Sequence, residues 1–254
     1  MRTPAVREVA GYALALGDDA LILAHRCSEW VTRAPELEED VALANIGLDL
    51  LGQARLLLTY AGEAEGAGRT EDDLAYFRDE RAFTNLQLCE LDNGDFAVSM
   101  ARLLIFASYA RELYTRLSGS TDATLAAVAQ KAVKEVAYHV DHCAQWVLRL
   151  GDGTAVSHLR MQHGLDRVWP YVEEIFDDSW LDGSLVSMGV AVQPSSLRSA
   201  TMTAVERVTK QATLAVPDEG AVPGGGRFGL HTEELGYLLA EFQHLTRSHP
   251  GVRW

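Results

Sequence analysis

Two long segments, about 94 to 117 and 121 to 150, carry apolar residues at a spacing near 3.6 and are separated only by the short polar stretch Ser118-Gly119-Ser120. A connection that short forces the second helix back against the first as an antiparallel neighbour. Whatever else the chain forms must cover the faces that this pair leaves open. The same period runs through segments at about 5 to 33, 36 to 61, 71 to 82, 154 to 178, 195 to 215 and 231 to 247, and no segment alternates as a strand over more than a few residues. The expectation is an all-α chain, an up-and-down helical bundle with additional helices. A length of 254 residues fits one domain spanning 1 to 254.

Local signals place several boundaries. Pro35 and the acids of PELEEDVALA open the second segment, where a fixed φ and the positive helix end favour them. Asp95, Thr121 and Thr154 are the expected first-turn acceptors of three later helices. The glycine-rich stretch VPDEGAVPGGGRFG reads as a long surface connection and the most mobile part of the chain. It follows no strand and lacks the GxxxxGK[ST] order, so it is not a phosphate loop.

Composition removes several classes of function. Lys and Arg total 22 against 36 Asp and Glu, a formal charge of -14, and such a field repels a phosphate backbone; nucleic acid is excluded as a partner. The cysteines Cys27, Cys89 and Cys143 lie far apart without a CxxC, which argues against both a zinc site and a disulfide framework. No unbroken apolar run reaches the roughly 18 residues of a membrane span, and the N-terminal stretch has acids inside its apolar part, unlike a signal peptide. The expectation is a cytoplasmic protein with no membrane contact.

Long antiparallel helices with inward acids raise the question of a carboxylate-bridged di-metal centre of the ferritin-like kind. That centre needs a Glu from each of two helices and a Glu-x-x-His from each of two others. In KEVAYHVDHCAQW, Glu135, His139, His142 and Trp146 share one face at about 100° per residue. However, Tyr138 stands three residues after Glu135, and Gly52 stands three after Asp49. Glu29, one turn from His25, is the acid that the first helix offers. The middle of the 94 to 117 segment, AVSMARLLIFASYA, has no acid, and the single Glu-x-x-His, Glu241 to His244, lies on a short terminal helix. Glu29, Asp49, Glu135, His139 and His142 therefore form an incomplete ligand set, read as a vestigial metal centre. Asn45, Asp49, Glu135 and His139 read as an interhelical polar network that fixes register. No residue is assigned as catalytic, cofactor-binding or metal-binding.

The blocks LGDDALILAHRCSEWVTRAPELEEDVALANIGLDLLGQAR, NGDFAVSMARLL, KEVAYHVDHCAQWVLRLGDGT and LHTEELGYLLAEFQHLTRSHPG, running in order from residue 16 to residue 251, resemble the structural-subunit (PaaC) family of the multicomponent phenylacetyl-CoA epoxidases. The resemblance implies a ferritin-like fold and a non-catalytic subunit of a monooxygenase complex in phenylacetate degradation. It implies as partners a homologous catalytic subunit that carries the di-iron centre, a flavin and iron-sulfur reductase component and the other subunits. No cofactor is implied on this chain, and homo-oligomerisation stays open. Two other readings remain beside it: a self-sufficient di-iron oxidase with displaced ligands, and a helical acyl-CoA binding module. RLLIFASY and ARLLLTYAG are the expected apolar contact surfaces toward a partner, with ordinary core as the alternative.

Overall fold

The computed structural model describes residues 4–218 and 220–252, and among these there are ten α-helices and no strand. Four are long: α1 (Pro4–Ser28), α2 (Leu37–Glu65), α5 (Phe96–Leu117) and α6 (Ala123–Gly151). Between them lie α3 (Glu71–Tyr76) and α4 (Gln87–Glu90), and after them come α7 (Ala155–Val168), α8 (Gly183–Ser187), α9 (Arg198–Gln211) and α10 (Glu233–Ser248). The α1–α2 and α5–α6 hairpins pack into a bundle in which α2 also lies against α6. The helices α7 and α9 cover the outer side of α5.

Several helix ends fall short of their expected bounds: α1 stops at Ser28 where about 33 was expected, α3 at Tyr76 where about 82 was expected, and α9 spans Arg198–Gln211 within the expected 195 to 215. Asp95 Oδ1 accepts from the Val98 amide at 3.1 Å, and Thr154 and Ser157 cap each other's backbone at the start of α7. At the start of α6 the acceptor is Asp122, whose Oδ1 takes the Thr124 and Leu125 amides at 3.0 and 2.9 Å. Thr121 instead donates its hydroxyl to the Met188 carbonyl at 2.9 Å, tying the loop to α8. The expected helix over 154 to 178 stops at Val168, and the chain continues in 3-10 turns through Trp169–Tyr171 and Glu173–Phe176. Pro170 has no N–H to continue the ladder.

Two expectations about surfaces are corrected. Every residue of RLLIFASY, Arg102 to Tyr109, is buried, because α5 is enclosed by α6, α7 and α9. Within ARLLLTYAG only Arg55 and Leu56 are exposed. The glycine-rich stretch is also more than a surface connection, Glu219 lying outside the described residues. Glu174 Oε1 accepts from the Gly225 and Gly226 amides at 2.8 and 2.7 Å, and Arg227 enters the core. Gly226 has no room for a side chain, since a Cβ there would sit 2.1 Å from the Asn85 carbonyl oxygen.

Candidate functional site

The antiparallel packing of α2 on α6 aligns three polar pairs along one seam. Gln53 Nε2 donates to Glu135 Oε2 at 3.0 Å, His139 Nε2 meets Asp49 Oδ2 at 3.0 Å, and His142 Nε2 approaches Glu39 Oε2 to 3.2 Å. Lys131 Nζ adds a contact of 3.5 Å to Glu135 Oε1. The seam has this form because an i, i+4 step on each helix returns to the same face, so Asp49 and Gln53 stand opposite His139 and Glu135.

The electrostatics favour neutral imidazoles. Burial lowers the pKa of His139 below its ordinary value, outweighing the opposing hydrogen bond and charge of Asp49. Burial lowers His142 as well, against the charge of Glu39. The His142 and Glu39 atoms that approach each other are buried and meet no hydrogen-bond geometry with any partner, so the end pair is held by proximity alone.

The five candidate residues do not converge. Asp49 and His139 touch; Glu135 belongs to the neighbouring pair and His142 to the next, each with a separate partner. Glu29 stands in the turn beyond α1, where Oε1 accepts from Arg26 at 2.7 Å and Oε2 from Asn93 Nδ2 at 2.7 Å. Asn45, expected in the network, is exposed, and Gln53 occupies the interior position in its place. Trp146 turns from the seam to pack edge-on against Phe96, with ring centroids 5.0 Å apart. Glu241 and His244 are both exposed on α10. Among the described residues no group of three His, Cys, Asp or Glu side chains is arranged to hold a metal ion.

Helix α5 places a cation, not a carboxylate, among its buried residues. The Arg102 guanidinium of α5 is buried and donates to the Leu91 carbonyl and to Asn93 Oδ1, and burial depresses its pKa to about 10. Separate pairs of the kind found along the α2–α6 seam are not the shared, bridging donor set that a di-iron centre needs.

A second polar region lies where α1 meets α4 and the chain leading into α10. Arg78 pairs with Asp18, whose Oδ2 also accepts the Thr84 amide at 2.9 Å. Arg227 grips Asp19 with two nitrogens, at 3.0 and 2.6 Å. Glu90 accepts from Asn85 Nδ2 at 2.8 Å, from the Thr232 amide at 2.5 Å and faces His231 Nδ1 at 2.7 Å. Burial raises the Asp19 carboxyl to about 6 against the pull of Arg227. Burial alone would lower His231, but the hydrogen bond and charge of Glu90 prevail and raise it. Sequence reasoning missed this region; the adjacent acids Asp18-Asp19 inside an apolar helix were its one legible signal.

A family model described as phenylacetic acid catabolic protein matches residues 1–254. The chain is 48% identical over 249 residues to a protein of Escherichia coli strain K12 named as a subunit of 1,2-phenylacetyl-CoA epoxidase, covering 98% of this chain and 100% of that protein. With a helical bundle of the expected ferritin-like kind, a family match over the whole length and a relative matched end to end, the chain belongs to the phenylacetic acid catabolic protein family.

Proposed function

We propose that this chain is a structural subunit of a phenylacetyl-CoA epoxidase, acting in aerobic phenylacetate degradation in the cytoplasm. The observation that carries the reading is the end-to-end match to a named epoxidase subunit, and the α2–α6 seam agrees with it. The acids Glu39, Asp49 and Glu135 each meet a partner across the helices, which suits a bundle whose interior holds its own shape rather than a metal. On this reading the di-iron centre and the substrate thioester belong to a homologous catalytic subunit, and electrons reach that subunit from a reductase component. This chain contributes no cofactor and supports the fold of its partner.

Reconstitution tests the proposal. Purified catalytic and reductase components, with and without this chain, are assayed for epoxidation of phenylacetyl-CoA and for soluble yield of the catalytic component. The expected result is activity only when this chain is present, together with a stable co-eluting complex. Full activity without it contradicts the reading.

The seam residues give a finer test. Replacing His139 by Asn keeps a hydrogen-bond partner for Asp49 but removes a metal ligand. On this proposal the reconstituted complex keeps its turnover, whereas a self-sufficient oxidase with displaced ligands would lose it.

A further inference from the structure

The chain between α9 and α10 is strapped to the body of the bundle. Val222 donates its amide to the Pro170 carbonyl at 3.1 Å, and Arg227 donates to the Ala15 and Thr84 carbonyls at 3.0 and 2.8 Å besides gripping Asp19. Further on, α10 is held by Gln243 Nε2, which donates to the Ala75 and Arg78 carbonyls at 2.9 and 3.0 Å, and by Arg247, which reaches the Tyr76 carbonyl at 2.8 Å. Guanidinium and amide anchors of this kind do not titrate across the physiological range. Between them, residues 228 to 235 meet α4 and the chain before it. Gln87 Nε2 donates to the Leu230 carbonyl at 2.8 Å, the Thr232 amide donates to Glu90 Oε1 at 2.5 Å, and the His231 ring turns inward. That ring and the carboxylate it meets are the titratable part of the closure.

A count of donors and acceptors fixes the proton. The His231 and Glu90 side chains are both out of water. Nδ1 lies 2.7 Å from Glu90 Oε2, and Nε2 lies 3.0 Å from the Phe83 carbonyl oxygen. Each Glu90 oxygen also takes an N–H from elsewhere, Oε2 from Asn85 Nδ2 at 2.8 Å and Oε1 from the Thr232 amide, so the carboxylate stands as an acceptor. A carbonyl never donates. The ring therefore needs an N–H on both nitrogens, which is the imidazolium. A neutral ring in either tautomer turns a lone pair toward an oxygen where no water intervenes. The closed form also forgoes some bonds, since Thr232 Oγ1 and Asn85 Oδ1 are buried without a hydrogen-bond partner among the described residues. Water would satisfy them on opening.

The other charges around the pair come from several elements. Glu80, on the turn Glu80–Ala82, adds negative charge toward the ring. From α1, Arg26 donates to the Glu90 carbonyl at 3.1 and 2.6 Å, and its own charge is met by Glu29 at 2.7 Å and by Glu234 of α10 at 3.9 Å. Cys89, beside Glu90 on α4, is buried, and burial keeps its thiol protonated. Burial lowers the ring's pKa, but the hydrogen bond and charge of Glu90 outweigh it and leave the ring above its ordinary value. We propose that His231 is a buried imidazolium acting as a proton-operated latch: with its proton, residues 228 to 235 stay closed on α4, and loss of the proton opens this stretch while the anchors at Arg227 and Gln243 hold. The latch stands independently of the epoxidase reading.

Two measurements on the full natural chain from pH 6 to pH 9 test this: nitrogen NMR of the histidine rings, and amide hydrogen exchange read by mass spectrometry. At pH 6 the His231 ring is expected to carry a proton on both nitrogens. Protection of residues 228 to 235, corrected for the intrinsic exchange rate, is expected to be constant below the ordinary histidine value of about 6.5. Above it, protection falls by up to about tenfold per pH unit until the folded value is passed, while residues 243 to 247 keep theirs. His231→Gln retains a donor but cannot titrate, and it should abolish the pH dependence. A singly protonated ring at pH 6 overturns the proposal, as does protection of 228 to 235 that ignores pH in the natural chain. Loss of protection in α5 at the same pH would show unfolding of the whole bundle and overturn it too. A pH dependence that survives in His231→Gln assigns the opening to another group, and if that variant does not fold, the ring spectrum and exchange of the natural chain decide alone.

Discussion

The molecule has two polar interiors, and they are built on opposite terms. Along the α2–α6 seam the groups meet in separate pairs, the acids of which keep partial access to water at Asp49 and Glu135. Between α1, α4 and the segment entering α10, the ion pairs Asp18–Arg78 and Asp19–Arg227 and the Glu90–His231 pair are out of water and share further backbone partners. The first region looks like a chemical site in the sequence and is loosely held. The second carries no motif and ties distant parts of the chain to α1. Burial of a charge with several fixed partners marks structure here, because each removal strands the remaining charge.

The largest effect should follow from breaking the second region. Asp19→Ala leaves Arg227 buried without its carboxylate, at a cost of about 3–5 kcal/mol, read from urea unfolding. A loss below about 1 kcal/mol would place the two regions on the same footing.

Acid should act next. His25, lowered to about 4 by burial and then by the charge of Arg26, and His139, lowered chiefly by burial, are neutral in the folded protein and take up protons more readily when unfolded. Their contribution to stability is complete above the unfolded value of about 6.5 and is lost as pH falls from there toward the folded values. His231, raised by Glu90, acts in the opposite sense: its contribution is complete below about 6.5 and is lost as pH rises through its folded value. On going from pH 7 to pH 5 the thermal midpoint should shift less toward lower temperature in His25→Gln than in the natural chain. Equal slopes in the variant and the natural chain would contradict the assignment.

A smaller effect is expected in the seam. Glu135→Ala removes the acceptor of Gln53 and should cost about 1 kcal/mol, while Glu135→Gln retains an acceptor oxygen and should cost less. Equal losses would remove the hydrogen-bonding role. Smallest of all, Arg198→Ala at the exposed Glu173–Arg198 pair should change stability by no more than about 0.5 kcal/mol, and a larger loss would show that surface pairs here are coupled to the buried region.

The long helices were legible because their periodicity is strong, and the antiparallel turn at Ser118–Ser120 followed from its brevity. Face assignments inside α6 also read correctly at His139 and Glu135, since an i, i+4 step needs no knowledge of neighbours. What surrounds a face is a tertiary matter. RLLIFASY read as a candidate surface because nothing local says that α7 and α9 close over α5, and Asn45 and Gln53 differ only in which side of α2 meets α6. Arg227 was hidden for the same reason, its carboxylate partner standing over two hundred residues away at Asp19.

Polar pairs that hold helices together, rather than metal, are the centre of this reading of the bundle. The direct measurement is iron per chain by mass spectrometry, on full-length protein purified alone from iron-supplemented cells. Iron far below one ion per chain is the expected result. About two irons per chain, lost in a Glu135→Ala variant that remains folded, would contradict it and return Asp49, Glu135 and His139 to the role of ligands.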